Sequence, residues 1–184
     1  MILAEIENCK NGLPSGIWLK CNSLVDHRLI GLLYEASQAG VPIEIMARGI
    51  CCLRPGVVGL SETITVRSII GRFLEHGRIY VFANGGEFLS DKNIVMISSA
   101  DLMPRNLRRR VECFMRLENP TIRKQVLHQI MVALLRDEKN AWYLQPDGSY
   151  VHPQTDETSF SCHEYFMSNP SLSGLGSLAA TQGN

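Results

Sequence analysis

Four groups of polar residues fall at predicted strand ends or in loops, where α/β folds place their ligands. Together they supply guanidinium, ammonium, imidazole and hydroxyl groups, the donors that bind phosphoryl oxygens. Each group alone is also typical of an ordinary solvated surface, so the prediction depends on their meeting at one sheet edge. The groups are Lys20 with Asn22, Arg48 with Arg54, His76 with Arg78, and Ser98, Ser99 and Asp101 followed by Arg105, Arg108, Arg109 and Arg110.

The glycine loops that usually bind nucleotide phosphates are absent from the sequence. There is no GxxxxGK[ST] segment, which argues against a P-loop, and the glycines at 49, 56 and 59 do not form GxGxxG. Any bound nucleotide would therefore be held by arginine side chains instead of a glycine cradle.

The charge of the chain is balanced in total but not along its length. The 184 residues contain 18 Lys and Arg against 18 Asp and Glu. Residues 48–110, called here the basic segment, contain 10 basic and 5 acidic residues. Residues 137–184 contain 1 basic and 6 acidic residues. The basic segment predicts a phosphate-bearing partner.

Apolar periodicity and turn residues predict a single mixed-sheet α/β domain with flanking helices. Strand, helix and strand open the chain, which is the pattern of a parallel pair with a crossover, and Asn84-Gly85-Gly86 predicts a hairpin turn. The predicted strands are 17–19, 41–47, 64–70, 78–82, 94–97 and 111–117, with a loop over 49–59. The predicted helices are 4–9, one that Asp26 caps and Gly40 ends, and one that starts at Asn119-Pro120 and buries Ile122, Val126, Ile130 and Leu134.

Composition also excludes several classes of protein. No apolar stretch approaches the ~18–20 residues that span a bilayer, and acidic residues stand where a signal peptide needs basic ones. We therefore expect a cytoplasmic protein without a membrane span.

The six cysteines lack zinc-site spacing and are expected to be reduced and mostly buried, and the uncharged residues 168–184 are expected to form a loose tail. The cysteines are Cys9, Cys21, Cys51, Cys52, Cys113 and Cys162.

The segment from His76 to Asp101 is similar to the phospholipase D superfamily layout, in which HxK precedes a GSxN-like segment. Here HxR occupies 76–78, and Ser98-Ser99-Ala100-Asp101 follows after a strand, a turn and a strand. In that superfamily the histidine attacks phosphorus to give a phosphohistidine. Arg78 replaces the lysine and Asp101 the asparagine, so the match is loose by itself.

Longer strings resemble the C-terminal domain of bacterial polyphosphate kinase. They are LKCNSLVDHRLIGLLYEASQAGVPIEI, ARGICCLRPGVVGLSETITVRSIIGRFLEHGRIYVFANGG and ISSADLMPRNLRRRVE, and the resemblance runs from about Ile6 to about Arg136. Leu102 departs from it, since the family often has an aromatic residue there. The resemblance implies a phospholipase D-like domain over 1–145 and a poorly matching, partly flexible extension over 146–184.

The resemblance also implies a function. Enzymes of this family reversibly transfer the terminal phosphate of ATP to polyphosphate through a phosphohistidine, use Mg²⁺ and form homo-oligomers. The phosphorylated histidine lies on another domain, so this chain would contribute binding of ATP or ADP and polyphosphate and be inactive alone. Arg48 and His76 correspond to nucleotide contacts of the family.

The chemistry of the residues themselves suggests further candidate roles. His76 is a candidate acid or base as the charge on the leaving phosphate changes. Lys20, Arg78, Arg105 and Arg108 are candidate contacts to the polyanionic product. No residue of the chain is assigned to a metal.

Two other hypotheses fit the sequence less well. A stand-alone phospholipase D-like phosphodiesterase would use His76 as nucleophile and a homodimer for the second histidine, but Arg78 and Asp101 argue against it. A non-catalytic module could bind polyanions through the arginines. Nucleic acid is a poor ligand for such a module, because no aromatic stacking platform accompanies them.

Overall fold

A computed structural model describes residues 1–169 of the chain. Its strands are β1 (Ile17–Cys21), β2 (Ile43–Ala47), β3 (Ile64–Ile69), β4 (Ile79–Phe82), β5 (Ile94–Ser98), β6 (Phe114–Arg116), β7 (Ala141–Leu144) and β8 (Tyr150–Val151). Its α-helices are α1 (Ile2–Lys10), α2 (His27–Gln38), α3 (Pro104–Arg108), α4 (Pro120–Lys124), α5 (Val132–Leu135) and α6 (Cys162–Ser168), with a π-helical segment, Gln125–Met131, between α4 and α5. Among residues 1–169, none of the helices combines the length and the apolar character that a membrane span requires.

The strands form one mixed sheet in the order β6-β5-β4-β1-β2-β3-β7-β8. The central strands β1, β2 and β3 are parallel, and β4, β5, β6, β7 and β8 each pair with a neighbour in antiparallel fashion. The expected single mixed α/β domain with flanking helices is therefore confirmed. So are the parallel β1–α2–β2 opening and the β4–β5 hairpin, at whose turn Asn84 and Gly85 both have positive φ, 55° and 72°.

This topology gathers the polar groups at one edge of the sheet. The parallel strands β1, β2 and β3 all end there, so Asn22, Arg48 and residues 70–78 follow directly after their last residues. Because β4 runs antiparallel to β1 and β5 antiparallel to β4, the start of β4 and the end of β5 lie at the same edge. Arg78 and Asp101 are thereby brought to the positions that follow β1 and β2.

Two apolar clusters cover the two faces of the sheet. On one face α1 and α2 pack on side chains such as Leu19, Ile45 and Val66, and Asp26 caps α2 by accepting hydrogen bonds from the amides of Arg28 and Leu29. On the other face the long helical segment 120–135 and α6 pack against side chains of β2, β4 and β5. The capping prediction for Asp26 is confirmed.

The buried face of the long helical segment differs from the prediction. Asn119 caps it and Pro120 opens it as expected, but Ile122 and Ile130 are 48% and 36% exposed. Of the predicted positions Leu134 is buried and Val126 partly buried, and the segment also buries Leu127 and Met131. The predicted positions are each four residues apart, which drifts across a helix face, whereas the buried residues 127, 131 and 134 follow the i, i+4, i+7 spacing of one face.

Several smaller expectations have clear outcomes. The strands 41–47 and 111–117 are shorter than predicted, and α3 and α6 were not predicted at all. All six cysteines are free, but Cys52 and Cys113 are exposed, so the expectation of mostly buried thiols holds fully only for Cys21 and Cys162. From residue 170 onward the expected loose tail lies outside the described residues. The boundary between 145 and 146 stays a prediction, and the hairpin of β7 and β8 crosses it.

Candidate functional site

Asp101 is the central anchor of the polar edge. Its Oδ1 accepts hydrogen bonds from the amides of Asn22 (2.8 Å) and Ser23 (3.3 Å) and from Nε of Arg78 (3.2 Å). Its Oδ2 lies 2.9 Å from Nη2 of Arg78, which completes a bidentate ion pair. The carboxylate therefore ties the end of β5 to the end of β1 and to the start of β4.

The Asp101 carboxylate stays ionised because of these donors. Burial by itself would raise the pKa of Asp101. The hydrogen bonds from Arg78 and from the Asn22 and Ser23 amides lower it by more than that, so the pKa lies below its ordinary value. The same hydrogen bond to Asp101 raises the pKa of Arg78. The pair is charged across the physiological range and serves as a fixed structural element.

Arg48 is held at the next position along this edge. The side chain of Asn22 donates from Nδ2 to Oδ2 of Asp101 (3.4 Å). The Oδ1 atom of Asn22 accepts a hydrogen bond from Nε of Arg48 (3.0 Å). Both terminal nitrogens of the Arg48 guanidinium lack a hydrogen-bond partner among residues 1–169, and no carboxylate of that range pairs with them. Arg48 therefore presents an oriented, unneutralised guanidinium fork to solvent.

Residues 70–78, called here the His76 loop, connect β3 to β4. Lys20 holds this loop, since its Nζ lies 3.1 Å from Oε2 of Glu75 and donates to the carbonyl of Gly77 at 3.2 Å. Arg78 adds a third contact by donating from Nη1 to the His76 carbonyl at 2.9 Å. The imidazole of His76 is exposed between these fixed backbone positions.

A small open cleft lies beside the loop. Arg48, Lys20 and Glu75 line it, together with Cys21, Met46, Ile69 and Leu134. Burial raises the pKa of the Cys21 thiol well above its ordinary value, and Cys51 and Asp101 add to the shift, so the thiol is not a nucleophile here. The chemistry available in the cleft is therefore cationic recognition by Arg48.

The structure distributes the six predicted binding residues unevenly. Arg48 lines the cleft, and the exposed His76 directly follows Glu75, which also lines it. Lys20 and Arg78 are close to them but are neutralised by Glu75 and Asp101. On α3, Nη2 of Arg108 pairs with the buried Asp26 at 2.6 Å, whereas Arg105 is exposed and has no ion-pair partner within residues 1–169. The roles of all six in ligand binding stay predictions.

Sequence reasoning missed two residues of this site. Glu75 bonds His163 of α6, with 2.8 Å between Oε1 and Nε2, and no spacing signal joins residues that are 88 positions apart. Glu75, Cys162 and His163 also place one possible metal-ligand atom each within 4.8 Å of one another. Both carboxylate oxygens of Glu75 are already bonded, however, and the ammonium of Lys20 lies beside them.

Comparisons with known proteins agree with this architecture. A family model described as Polyphosphate kinase C-terminal domain 2 matches residues 1–162. The polyphosphate kinase of Erythrobacter litoralis is 56% identical over 172 residues, covering 94% of this chain and 24% of the relative. The polyphosphate kinase of Synechocystis sp. is 51% identical over 168 residues, covering 90% of this chain and 22% of that relative. The chain thus spans about a quarter of the length of these relatives.

A solved structure supports the same assignment. The crystal structure of polyphosphate kinase from Porphyromonas gingivalis superposes with a TM-score of 0.83 and 36% identity, covering 92% of this chain and 25% of the other. The match confirms the expected fold class, a phospholipase D-like α/β domain with a single mixed sheet. Because the family model spans all but the last 22 of its residues, this chain belongs to the polyphosphate kinase C-terminal domain 2 family.

Proposed function

We propose that this chain is the nucleotide- and polyphosphate-binding domain of a polyphosphate kinase. The observation that carries the proposal is the guanidinium of Arg48, which Asn22 orients through Nε and which no carboxylate of residues 1–169 neutralises. A planar fork of this kind binds two oxygens of one phosphate group. The exposed His76 lies on the loop that borders the same cleft, where it can donate to a phosphate or exchange a proton with it.

The parent activity follows as part of the same proposal. The whole protein would transfer the terminal phosphate of ATP reversibly to polyphosphate through a phosphohistidine on a domain outside this chain, and the chain alone would be inactive. Exposed arginines such as Arg105 would guide the polyanion by long-range attraction, which is strong at low salt and screened at high salt.

Magnesium, homo-oligomerisation and a cytoplasmic location belong to the proposal for the parent protein. The two carboxylates of the site do not fit an Mg²⁺ ion, because Asp101 is bonded to Arg78 and Glu75 to Lys20. We therefore expect the ion to come with the phosphates of ATP. Six free thiols agree with a reducing compartment.

The geometry does not favour the phosphodiesterase alternative. In the HxR segment all three nitrogens of the Arg78 guanidinium are engaged, two by Asp101 and one by the His76 carbonyl. Arg78 is therefore not free to bind a phosphate as the lysine of an HxK pair would.

The proposal is tested by calorimetric titration of the chain with ATP and with polyphosphate at low salt. Arg48→Met should weaken ATP binding about tenfold to hundredfold, as expected for the loss of hydrogen bonds to a charged group, and Arg48→Lys should lose less. Arg116→Met is the matched control, since Arg116 is an exposed arginine on β6 paired with Glu118. No ATP binding by the wild-type chain, or equal binding by Arg48→Met, would contradict the proposal.

A further inference from the structure

The His76 loop is fastened from outside the sheet by one buried side chain, His163. His163 lies on α6, near the end of the described residues, and is 2% exposed. Its Nδ1 accepts a long hydrogen bond from the amide of Phe73 (3.4 Å), and its Nε2 lies 2.8 Å from Oε1 of Glu75. Both ring nitrogens are thus used, and both partners belong to the loop.

These partners determine which tautomer of His163 is present. The Phe73 amide is a donor, so Nδ1 must be unprotonated, and the carboxylate of Glu75 is an acceptor, so Nε2 must carry the proton. A neutral imidazole with the proton on Nε2 satisfies both contacts at once. The other neutral tautomer would place a proton between Nδ1 and the Phe73 amide and leave none for Glu75.

The backbone of the loop is shaped around this ring. A Cβ atom at Gly71 would lie 2.5 Å from Nδ1 of His163, so only glycine permits the approach. The ring of Phe73 packs edge-on against the imidazole with 5.2 Å between centroids. Three residues of the loop therefore contact His163, and each precedes His76 by five residues or fewer.

His163 also completes a chain of contacts that brackets His76. Glu75 joins His163 to Lys20, and Lys20 continues to the carbonyl of Gly77. The residues on both sides of His76 are thus fixed by groups from α6 and β1. The imidazole of His76 itself remains exposed and available.

A metal ion is the competing interpretation of this cluster, because Glu75, Cys162 and His163 have the donor types of a zinc site. Burial, followed by a hydrogen bond to Asp137, raises the pKa of the Cys162 thiol well above its ordinary value, which opposes the thiolate a metal needs. The ammonium of Lys20, 3.1 Å from Glu75, would repel a divalent cation. A hydrogen-bonded clamp accounts for all of these contacts.

We propose that His163 is a positioning residue for His76: it holds residues 71–75 through the Phe73 amide and the Glu75 carboxylate, and so keeps His76 next to the cleft that Glu75 and Arg48 line. The effect on ligand rests on the proposed function, since it assumes that His76 contacts a nucleotide phosphate. The clamp itself is independent of any ligand. Loss of His163 then acts on affinity only by way of His76.

The clamp is tested first in the ligand-free chain by NMR. Nitrogen-15 spectra of the imidazole should show neutral His163 with the proton on Nε2. Amide hydrogen exchange at Phe73 should become about fivefold to tenfold faster in His163→Ala and His163→Gln, because the acceptor is lost. His163→Asn should restore much of the protection, since its Oδ1 lies where Nδ1 was. Met167→Ala, an exposed change on the same helix, is the control for fraying of α6.

The action through His76 is tested by a double-mutant cycle on ATP affinity. His163→Ala should weaken binding about fivefold in the wild-type background and by less than twofold when His76 is already alanine, because the residue that it positions is gone. His128→Ala, a change at another exposed histidine, should leave affinity unaltered.

Four results overturn the inference: a proton on Nδ1, unchanged exchange at Phe73 in His163→Ala, equal losses of affinity in both backgrounds, or tight zinc binding that His163→Ala abolishes. If the wild-type chain binds no ATP, the proposed function fails, while the tautomer and the exchange rates still decide whether the clamp exists.

Discussion

Replacing Asp101 by Asn should destabilise the fold more than its single-atom change suggests. Each oxygen of Asp101 faces only donors. Oδ1 faces the backbone amides of Asn22 and Ser23, and Oδ2 faces the side-chain Nδ2 of Asn22 and the guanidinium of Arg78. Whichever way the new amide turns, its NH₂ group meets N–H groups that have lost their acceptor. Arg78 is left without its counter-charge.

The size of this effect follows from burial. Removing one partner of a fully buried ion pair costs about 3–5 kcal/mol, but the Arg78 side chain is 20% exposed and keeps its bond to the His76 carbonyl. We therefore expect a loss of about 2–3 kcal/mol in the free energy of unfolding, or roughly 5–10 °C in Tm. Urea unfolding at pH 7 followed by circular dichroism measures it.

The control for this prediction is Asp91→Asn. Asp91 also pairs with an arginine, but its side chain is 86% exposed and its contact to Arg123 is 3.4 Å, so the change should cost under about 0.5 kcal/mol. Combining Asp101→Asn with Arg78→Met should cost less than the sum of the two, because no unpaired charge then remains. Equal stability of Asp101→Asn and wild type would refute the anchoring role of this carboxylate.

Acid unfolding gives an independent check with a defined sign. The pKa of Asp101 is lower in the folded protein than its ordinary value of 3.8, so ionised Asp101 stabilises the fold fully above that value. The contribution is lost as the pH falls through the folded-state pKa. The stability difference between wild type and Asp101→Asn should be constant near neutrality and shrink below pH 3.8.

Two further predictions concern the helical segment and the thiols. Leu127→Ala should cost about 2–4 kcal/mol in urea unfolding and Ile130→Ala under about 1 kcal/mol, because the segment buries the first side chain and exposes the second. The reverse order of the two losses would contradict this burial. Cys52 and Cys113 should react with a thiol reagent in the native chain, while Cys162, buried and with a raised pKa, should react only on unfolding. Rapid native labelling of Cys162, read by mass spectrometry, would contradict its burial.

The parts of the fold that the sequence predicted depend on local signals. Asp26 and Asn119 are caps that act within their own first helical turn, and Asn84-Gly85 makes its turn from two residues with positive φ. Strand ends could be located because Asn22 and Arg48 follow runs of apolar residues. Their meeting at one edge then follows from strand direction alone, which the β1–α2–β2 pattern indicates.

The missed parts depend on contacts between distant segments. Nothing near Glu75 in the sequence indicates His163, since the two meet only after α6 packs onto the sheet. The buried stripe of segment 120–135 was misplaced in part, because the predicted positions were spaced by four residues throughout and drift off the face that packs on the sheet. The clamp on the His76 loop could therefore be found only from coordinates.

Charge along the sequence overstates the charge that this site offers to a polyanion. In the basic segment three of the ten cations are committed to carboxylates: Arg67 to Glu44, Arg78 to Asp101 and Arg108 to Asp26. An arginine committed in this way acts on stability first, and its substitution lowers affinity only as the site loosens. An arginine without a carboxylate partner acts mainly on affinity. Arg48→Met and Arg78→Met should therefore both weaken phosphate binding, but Arg78→Met should lower the free energy of unfolding more, because Arg48 gives up one hydrogen bond to Asn22 and Arg78 gives up an ion pair.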